Sequence, residues 1–289
     1  MNKHTFKEIF IFTVTAFFSI SLTAQSPLKF EKLDIADAPF FAYTPCFYQD
    51  SRGFMWFGSL SGLSMFDGYT VTYFKNNPND PLSISDNKIS SMLEDGIGNL
   101  WVGTQNGLNY FDYKKQTFKH YNIKKEHGIG ITGTNCIAID VHKNIWVGTS
   151  DGLYWLDSTT QKFCLYTNQF SSIFTASIEF TDKGLYALTS AGLYFKAYNS
   201  SRFSLIDIPA NKKGQKDFNL RTLFKDKNGV LWIGTSDGLF YIDVSKNNTL
   251  LVEQPFFKDE LIHIFQQKNE EALWICTKMG LYHFNPRTF

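Results

Sequence analysis

Apolar and polar positions alternate along this chain in runs of four to seven residues, and clusters of Asp, Asn and Gly separate the runs. One stretch shows the unit. Lys88–Glu94 reads as a strand, Asp95-Gly96-Ile97-Gly98-Asn99 as a turn, and Leu100–Thr104 as a second strand. Gln105-Asn106-Gly107 then reverses the chain into Leu108–Asp112, and Thr117–Asn122 follows as a fourth strand. Successive side chains of a strand point to opposite faces, so Trp101 and Gly103 share one face while Leu100 and Val102 share the other. Both faces are apolar, and such a sheet must be packed on both sides.

The unit recurs. Trp101-Val102-Gly103-Thr104 followed by Gly107-Leu108 has counterparts beginning at Trp56, Trp146, Tyr186, Trp232 and Trp274, at steps of 45, 45, 40, 46 and 42 residues. A period of 40–45 residues filled only by strands predicts propeller blades. The turns agree: Asp50, Asp95, Asp140 and Asp226 each stand six residues before their Trp, and a glycine follows the second strand in all six copies. The copy at Tyr186 is worn, with Leu188 where the others except the last carry Gly, so volume lost at one position returns beside it. The expected fold is therefore all-β: a β-propeller of six four-stranded blades over residues 25–289, either a closed six-bladed ring or part of a seven-bladed one. The last copy supplies three strands before Phe289, and residues 29–35 resemble the outer strand at Phe118–Asn122. They are expected to complete the sixth blade and latch the ring.

Lys3, His4 and Lys7 precede an apolar run from Ile9 to Leu22 and then Thr23-Ala24, the pattern of a cleaved signal peptide over residues 1–24. The run is short for a membrane span and no second one follows, so the mature chain is expected to be exported, periplasmic and without a span. A formal charge of +1, with Lys and Arg scattered, gives no pull toward nucleic acid. Cys46, Cys136, Cys164 and Cys276 lie far apart and read as small buried residues, with no metal-ligand spacing. Gly128-Ile129-Gly130-Ile131-Thr132-Gly133 matches a dinucleotide-binding pattern in letters, but no helix follows it. Neither cofactor nor metal is expected, and no nucleophile, kinase or hydrolase signature is present.

These repeats resemble the two-component regulator propeller family of bacterial sensors, whose motif reads here as Asp95-Gly96-Ile97-Gly98-Asn99-Leu100-Trp101-Val102-Gly103-Thr104, Gly107-Leu108 and Phe111-Asp112. The loop Asn76–Ser83 resembles that family's linker between blades, and the resemblance runs through nearly all of residues 40–289. It implies the extracytoplasmic ligand-sensing part of a hybrid histidine kinase, often one responding to polysaccharides, and no enzymatic activity in the propeller itself. Family members carry about twice as many repeats, an immunoglobulin-like domain, a membrane helix and a kinase. The chain accordingly reads as a truncated sensor, a fragment or a stand-alone propeller. Partner sensor domains or a second copy are expected partners, and an oligosaccharide the expected ligand. A protein-binding propeller and a propeller lyase or glycosidase are the rival classes.

Chain direction alternates within a blade, so the turns after the second strand share one face with the connections between blades. Those connections bring Asn87, Lys88, His127, Asn135, Asn219 and Arg221 to the start of inner strands, at the mouth of the central channel. Amides and a guanidinium there suit sugar hydroxyls or a carboxylate.

Overall fold

A computed structural model describes residues 44–121, 133–157, 159–170, 173–206, 220–236, 238–244, 261–266 and 270–286. The signal segment 1–24, residues 29–35 and most of the Gly128–Gly133 stretch lie outside these. Blade 1 comprises β1 (Cys46–Gln49), β2 (Met55–Gly58), β3 (Leu63–Phe66) and β4 (Val71–Phe74). Blade 2 comprises β5 (Ile89–Glu94), β6 (Leu100–Thr104), β7 (Gly107–Asp112) and β8 (Thr117–Tyr121). Blade 3 holds β9 (Thr134–Ile139), β10 (Ile145–Thr149), β11 (Gly152–Asp157) and β12 (Lys162–Leu165), and blade 4 holds β13 (Thr175–Phe180), β14 (Gly184–Thr189), β15 (Gly192–Ala197) and β16 (Ser204–Leu205). Blade 5 shows β17 (Leu220–Lys225), β18 (Val230–Thr235) and β19 (Gly238–Asp243), and blade 6 shows β20 (Leu261–Gln266), β21 (Leu273–Thr277) and β22 (Leu281–Phe284). Every blade is an antiparallel meander in chain order, and together they form a β-propeller with the first strand of each blade innermost.

The motif residues divide the work of building a blade. The Asp carboxylate caps the first turn. Asp226 accepts the backbone N–H groups of Asn228 and Val230 and the indole Nε1–H of Trp232, each at 2.9 Å, and Asp50 does the same for Arg52, Phe54 and Trp56. In blade 2 the second oxygen of Asp95 accepts from the Tyr110 hydroxyl instead of the indole. The Thr or Ser ending the second strand donates its hydroxyl to the glycine carbonyl three residues on, in all six blades: Ser59 to Gly62, Thr104 to Gly107, Thr149 to Gly152, Thr189 to Gly192, Thr235 to Gly238 and Thr277 to Gly280. The turn after it is thereby closed without help from outside the blade.

The motif glycine answers to the neighbouring blade. A Cβ on Gly58 would meet Ile89 Cγ2 at 2.6 Å, on Gly103 Thr134 Cγ2 at 2.7 Å, on Gly148 Thr175 Cγ2 at 2.9 Å and on Gly234 the Leu261 Cβ at 3.0 Å. In each case these atoms belong to the first residue of the next inner strand, and the facing side chain of the blade's own inner strand (Cys46, Ser91, Cys136 or Thr222) is nearer still, at 2.5, 2.3, 2.4 and 2.6 Å. The aromatic of the motif faces the same way. Trp56, Trp101, Trp146, Tyr186 and Trp232 each enter a buried core shared with the following blade, so that five cores join blade 1 to 2, 2 to 3, 3 to 4, 4 to 5 and 5 to 6. Tyr186 and Leu188 lie in one of these cores together, as the exchange of volume between them requires. At the axis Phe47 of blade 1 meets His263 and Phe265 of blade 6 edge-on, with ring centroids 6.0 and 6.4 Å apart.

Candidate ligand-binding face

The two faces of the propeller are built differently. On the face carrying the Asp-capped turns, polar side chains are committed to joining blades. Glu94 accepts the backbone N–H of Ser51 at 2.8 Å and its hydroxyl at 2.7 Å, and Arg52 donates to the Gly98 carbonyl at 2.7 Å. Gln266, at the equivalent position of blade 6, accepts the backbone N–H of Lys227 at 2.9 Å, while the Lys227 ammonium lies 2.7 Å from Glu271.

The opposite face carries the inner-strand starts, and there the inner ladders are irregular. The pairing of β5 with β6 skips Ser90, that of β9 with β10 skips Asn135, that of β13 with β14 skips Ala176, that of β17 with β18 skips Arg221 and that of β20 with β21 skips Ile262. Blade 1 has Pro45 at this place, immediately before Cys46. A proline suits it, because a bulged residue has no ladder bond for its missing N–H to make. The bulge re-aims one side chain per blade at the start of the inner strand. Ser90 donates its hydroxyl to the Thr134 carbonyl of blade 3, and Asn135 Nδ2 approaches the Thr175 carbonyl of blade 4 at 3.4 Å, long for a hydrogen bond.

Of the six residues expected at this mouth, four are described. Asn135 and Arg221 fall on the bulges themselves, and Arg221 is solvent-exposed. Asn87 is half-buried and its Oδ1 accepts the backbone N–H of Asn76 at 2.8 Å, which holds the loop between blades 1 and 2. Lys88 is exposed, with its backbone N–H on Asp86 Oδ1 at 2.8 Å and its carbonyl accepting from Gln105 at 3.0 Å. His127 and Asn219 lie outside the described residues.

Below the mouth, the inner strands of blades 4 to 6 carry ionisable groups that the sequence reading passed over. Glu179 on β13 occupies a place where the other blades have Tyr48, Leu93, Ala138, Phe224 and Phe265. Burial pushes its carboxyl up to about 7, opposed by the charge of Lys225 and by the hydrogen bond from the Lys225 backbone N–H. The Lys225 ammonium in turn donates to the Phe180 carbonyl, so the inner strands of blades 4 and 5 are cross-tied. Burial lowers the pKa of His263 and raises the Cys46 and Cys136 thiols to about 12. Among the described residues no three His, Cys, Asp or Glu side chains come together as metal ligands would, and no helix is long and apolar enough to cross a membrane.

The sequence profile of the two-component regulator propeller family matches residues 83–106 and 216–237, on blades 2 and 5. The chain carries two-component regulator propeller repeats. Over 82 residues, 27% of its length, it is 37% identical to Histidine kinase P4 of Formosa agariphila, of which that match covers 6%. The extracellular domain assigned to the hybrid two-component system BT3049 of B. thetaiotaomicron superposes with a TM-score of 0.71 at 27% identity, over 84% of this chain and 34% of that one. A streptogramin B lyase superposes with a TM-score of 0.64 at 15% identity over 83% of this chain and 78% of its own, a likeness of fold alone. The chain thus spans about a third of the solved sensor relative it matches.

Proposed function

We propose that this propeller is the ligand-reading part of an exported, periplasmic two-component sensor, and that it recognises an oligosaccharide at the mouth of its channel on the face of the inter-blade connections. The similarity at 27% identity to an extracellular domain of a hybrid two-component system carries the reading. The exposure of two cationic residues at inner-strand starts supports the choice of face: Arg221 and Lys88 are both solvent-exposed. A guanidinium and a primary ammonium at one rim suit hydroxyl-rich or carboxylate-bearing sugars, since charge-assisted hydrogen bonds are roughly twice as strong as neutral ones. The propeller contributes binding and position only; any phosphoryl transfer belongs to other domains of a sensor.

The test is a melting-temperature screen of the purified chain against a panel of neutral and acidic oligosaccharides, with product analysis of every hit. A saturable shift with the sugar recovered intact is the expected result. Recovery of cleaved sugar makes the protein a propeller lyase or glycosidase. A flat screen together with a stoichiometric protein partner makes it a protein-binding propeller.

A further inference from the structure

The inner strands of blades 3 and 4 each begin on a buried threonine: Thr134 opens β9 and is 1% exposed, and Thr175 opens β13 and is 0% exposed. Neither Oγ1 has a hydrogen-bond partner among the described residues. Thr44, at the matching place of blade 1, repeats the pattern. The two side chains are firmly seated. Cγ2 of Thr134 lies against Gly103 and Cγ2 of Thr175 against Gly148, each on the preceding blade, as Cγ2 of Ile89 lies against Gly58. A wholly apolar side chain serves this place elsewhere, for Ile89 is 2% exposed and Leu261 0%. The methyl group therefore does the packing that the place requires, and the hydroxyl adds nothing to it. A buried hydroxyl left without a partner is a cost that valine would avoid at nearly the same shape.

What surrounds these hydroxyls is polar. The Thr134 carbonyl accepts the Ser90 hydroxyl from blade 2, and the Thr175 carbonyl is approached by Asn135 Nδ2 at 3.4 Å and by Cys136 Sγ at 3.9 Å. The residue after each threonine is the bulged one: the ladders skip Asn135 and Ala176. A bulge disrupts the ladder and leaves main-chain groups of the extra residue to find other partners. A buried water needs two to four polar partners, and a hydroxyl beside such a bulge supplies them. Blade 1 offers fewer, because its bulge residue is Pro45, which has no N–H.

We propose that Thr134 and Thr175 each bind one internal water, held between the threonine hydroxyl and the main chain of the bulge that follows. The two waters fix the bulges of blades 3 and 4 from inside the propeller.

Thr134→Val and Thr175→Val, made singly and together in the full chain, test this. Valine keeps a methyl group against the glycine and removes only the hydroxyl. Each single substitution is expected to lower the melting temperature by roughly 1–6 °C, the loss of one net hydrogen bond. Oxygen-17 magnetic relaxation dispersion, which counts long-lived internal waters, is expected to find two fewer in the double variant than in the parent. An unchanged or raised melting temperature overturns the proposal, since the hydroxyl then bound nothing, and so does an unchanged water count. If the double variant does not fold, each single variant is counted alone: one water fewer in each is expected, and an equal count overturns the sites.

Discussion

Asp226→Ala is the substitution whose consequence the blade geometry fixes most closely. The side chain is 3% exposed and its carboxylate accepts three hydrogen bonds of 2.9 Å, two from backbone N–H groups of its turn and one from the Trp232 indole. Trp232 is itself 1% exposed, so its N–H has no water to turn to. An orphaned buried donor costs about 1–3 kcal/mol, and loss of a charged acceptor for two turn amides adds about 1–2 kcal/mol. We expect about 3 kcal/mol in urea denaturation, or a fall in melting temperature of roughly 6–12 °C at about 2–4 °C per kcal/mol. Blade 6 provides the counter-experiment. It has Lys268 where other blades have Asp, and the buried Trp274 Nε1 has no acceptor among the described residues. Trp274→Phe removes an unsatisfied donor and should be neutral or stabilising, whereas Trp232→Phe should cost at least about 1 kcal/mol. Equal losses from the two tryptophan substitutions, or an Asp226→Ala protein as stable as its parent, refute the reasoning.

Three further outcomes follow from the same contacts. Gly148→Ala drives a Cβ to within 2.4 Å of Cys136 Sγ and 2.9 Å of Thr175 on the next blade and should destabilise by about 1–3 kcal/mol, while Cys276→Ala in the equivalent place of blade 6 should change stability by less than about 1 kcal/mol. Glu179 has its carboxyl raised to about 7 against an ordinary 4.5, so the folded state binds the extra proton. Its contribution therefore becomes less unfavourable as pH falls from about 7 toward 4.5, by about 2–3 kcal/mol at most, and Glu179→Gln should flatten that part of a stability–pH curve. Cys136, half-buried with its thiol raised to about 12, should resist iodoacetamide in the native protein at pH 8, whereas the exposed Cys164 should be alkylated; mass spectrometry reads both.

The blade was legible in the sequence because its motif residues satisfy one another locally. The Asp–indole bond and the Thr–Gly bond span six and three residues, so they recur as fixed spacings. The strands read from Lys88 to Asn122 differ from β5–β8 by one residue at their ends. The bulges at Ser90, Asn135, Ala176, Arg221 and Ile262 were not legible, since a two-against-one register leaves the alternation of a short inner strand nearly unchanged. Arg221 and Asn135 fall on two of these bulges, at the starts of their inner strands. Glu179 was missed because its neighbour Lys225 is 46 residues away, and no spacing rule links inner strands of different blades.

Isothermal titration calorimetry with the oligosaccharide found in the screen, comparing Arg221→Ala with Ser51→Ala, tests the central claim most directly. Ser51 belongs to the capped-turn face, where its hydroxyl bonds Glu94 at 2.7 Å, and Arg221 to the inner-strand start at the other end of its blade. Loss of a charge-assisted bond worth about 1.5–3 kcal/mol predicts affinity weaker by roughly ten-fold or more for Arg221→Ala, and unchanged affinity for Ser51→Ala. Binding that survives Arg221→Ala intact and is abolished by Ser51→Ala contradicts the account.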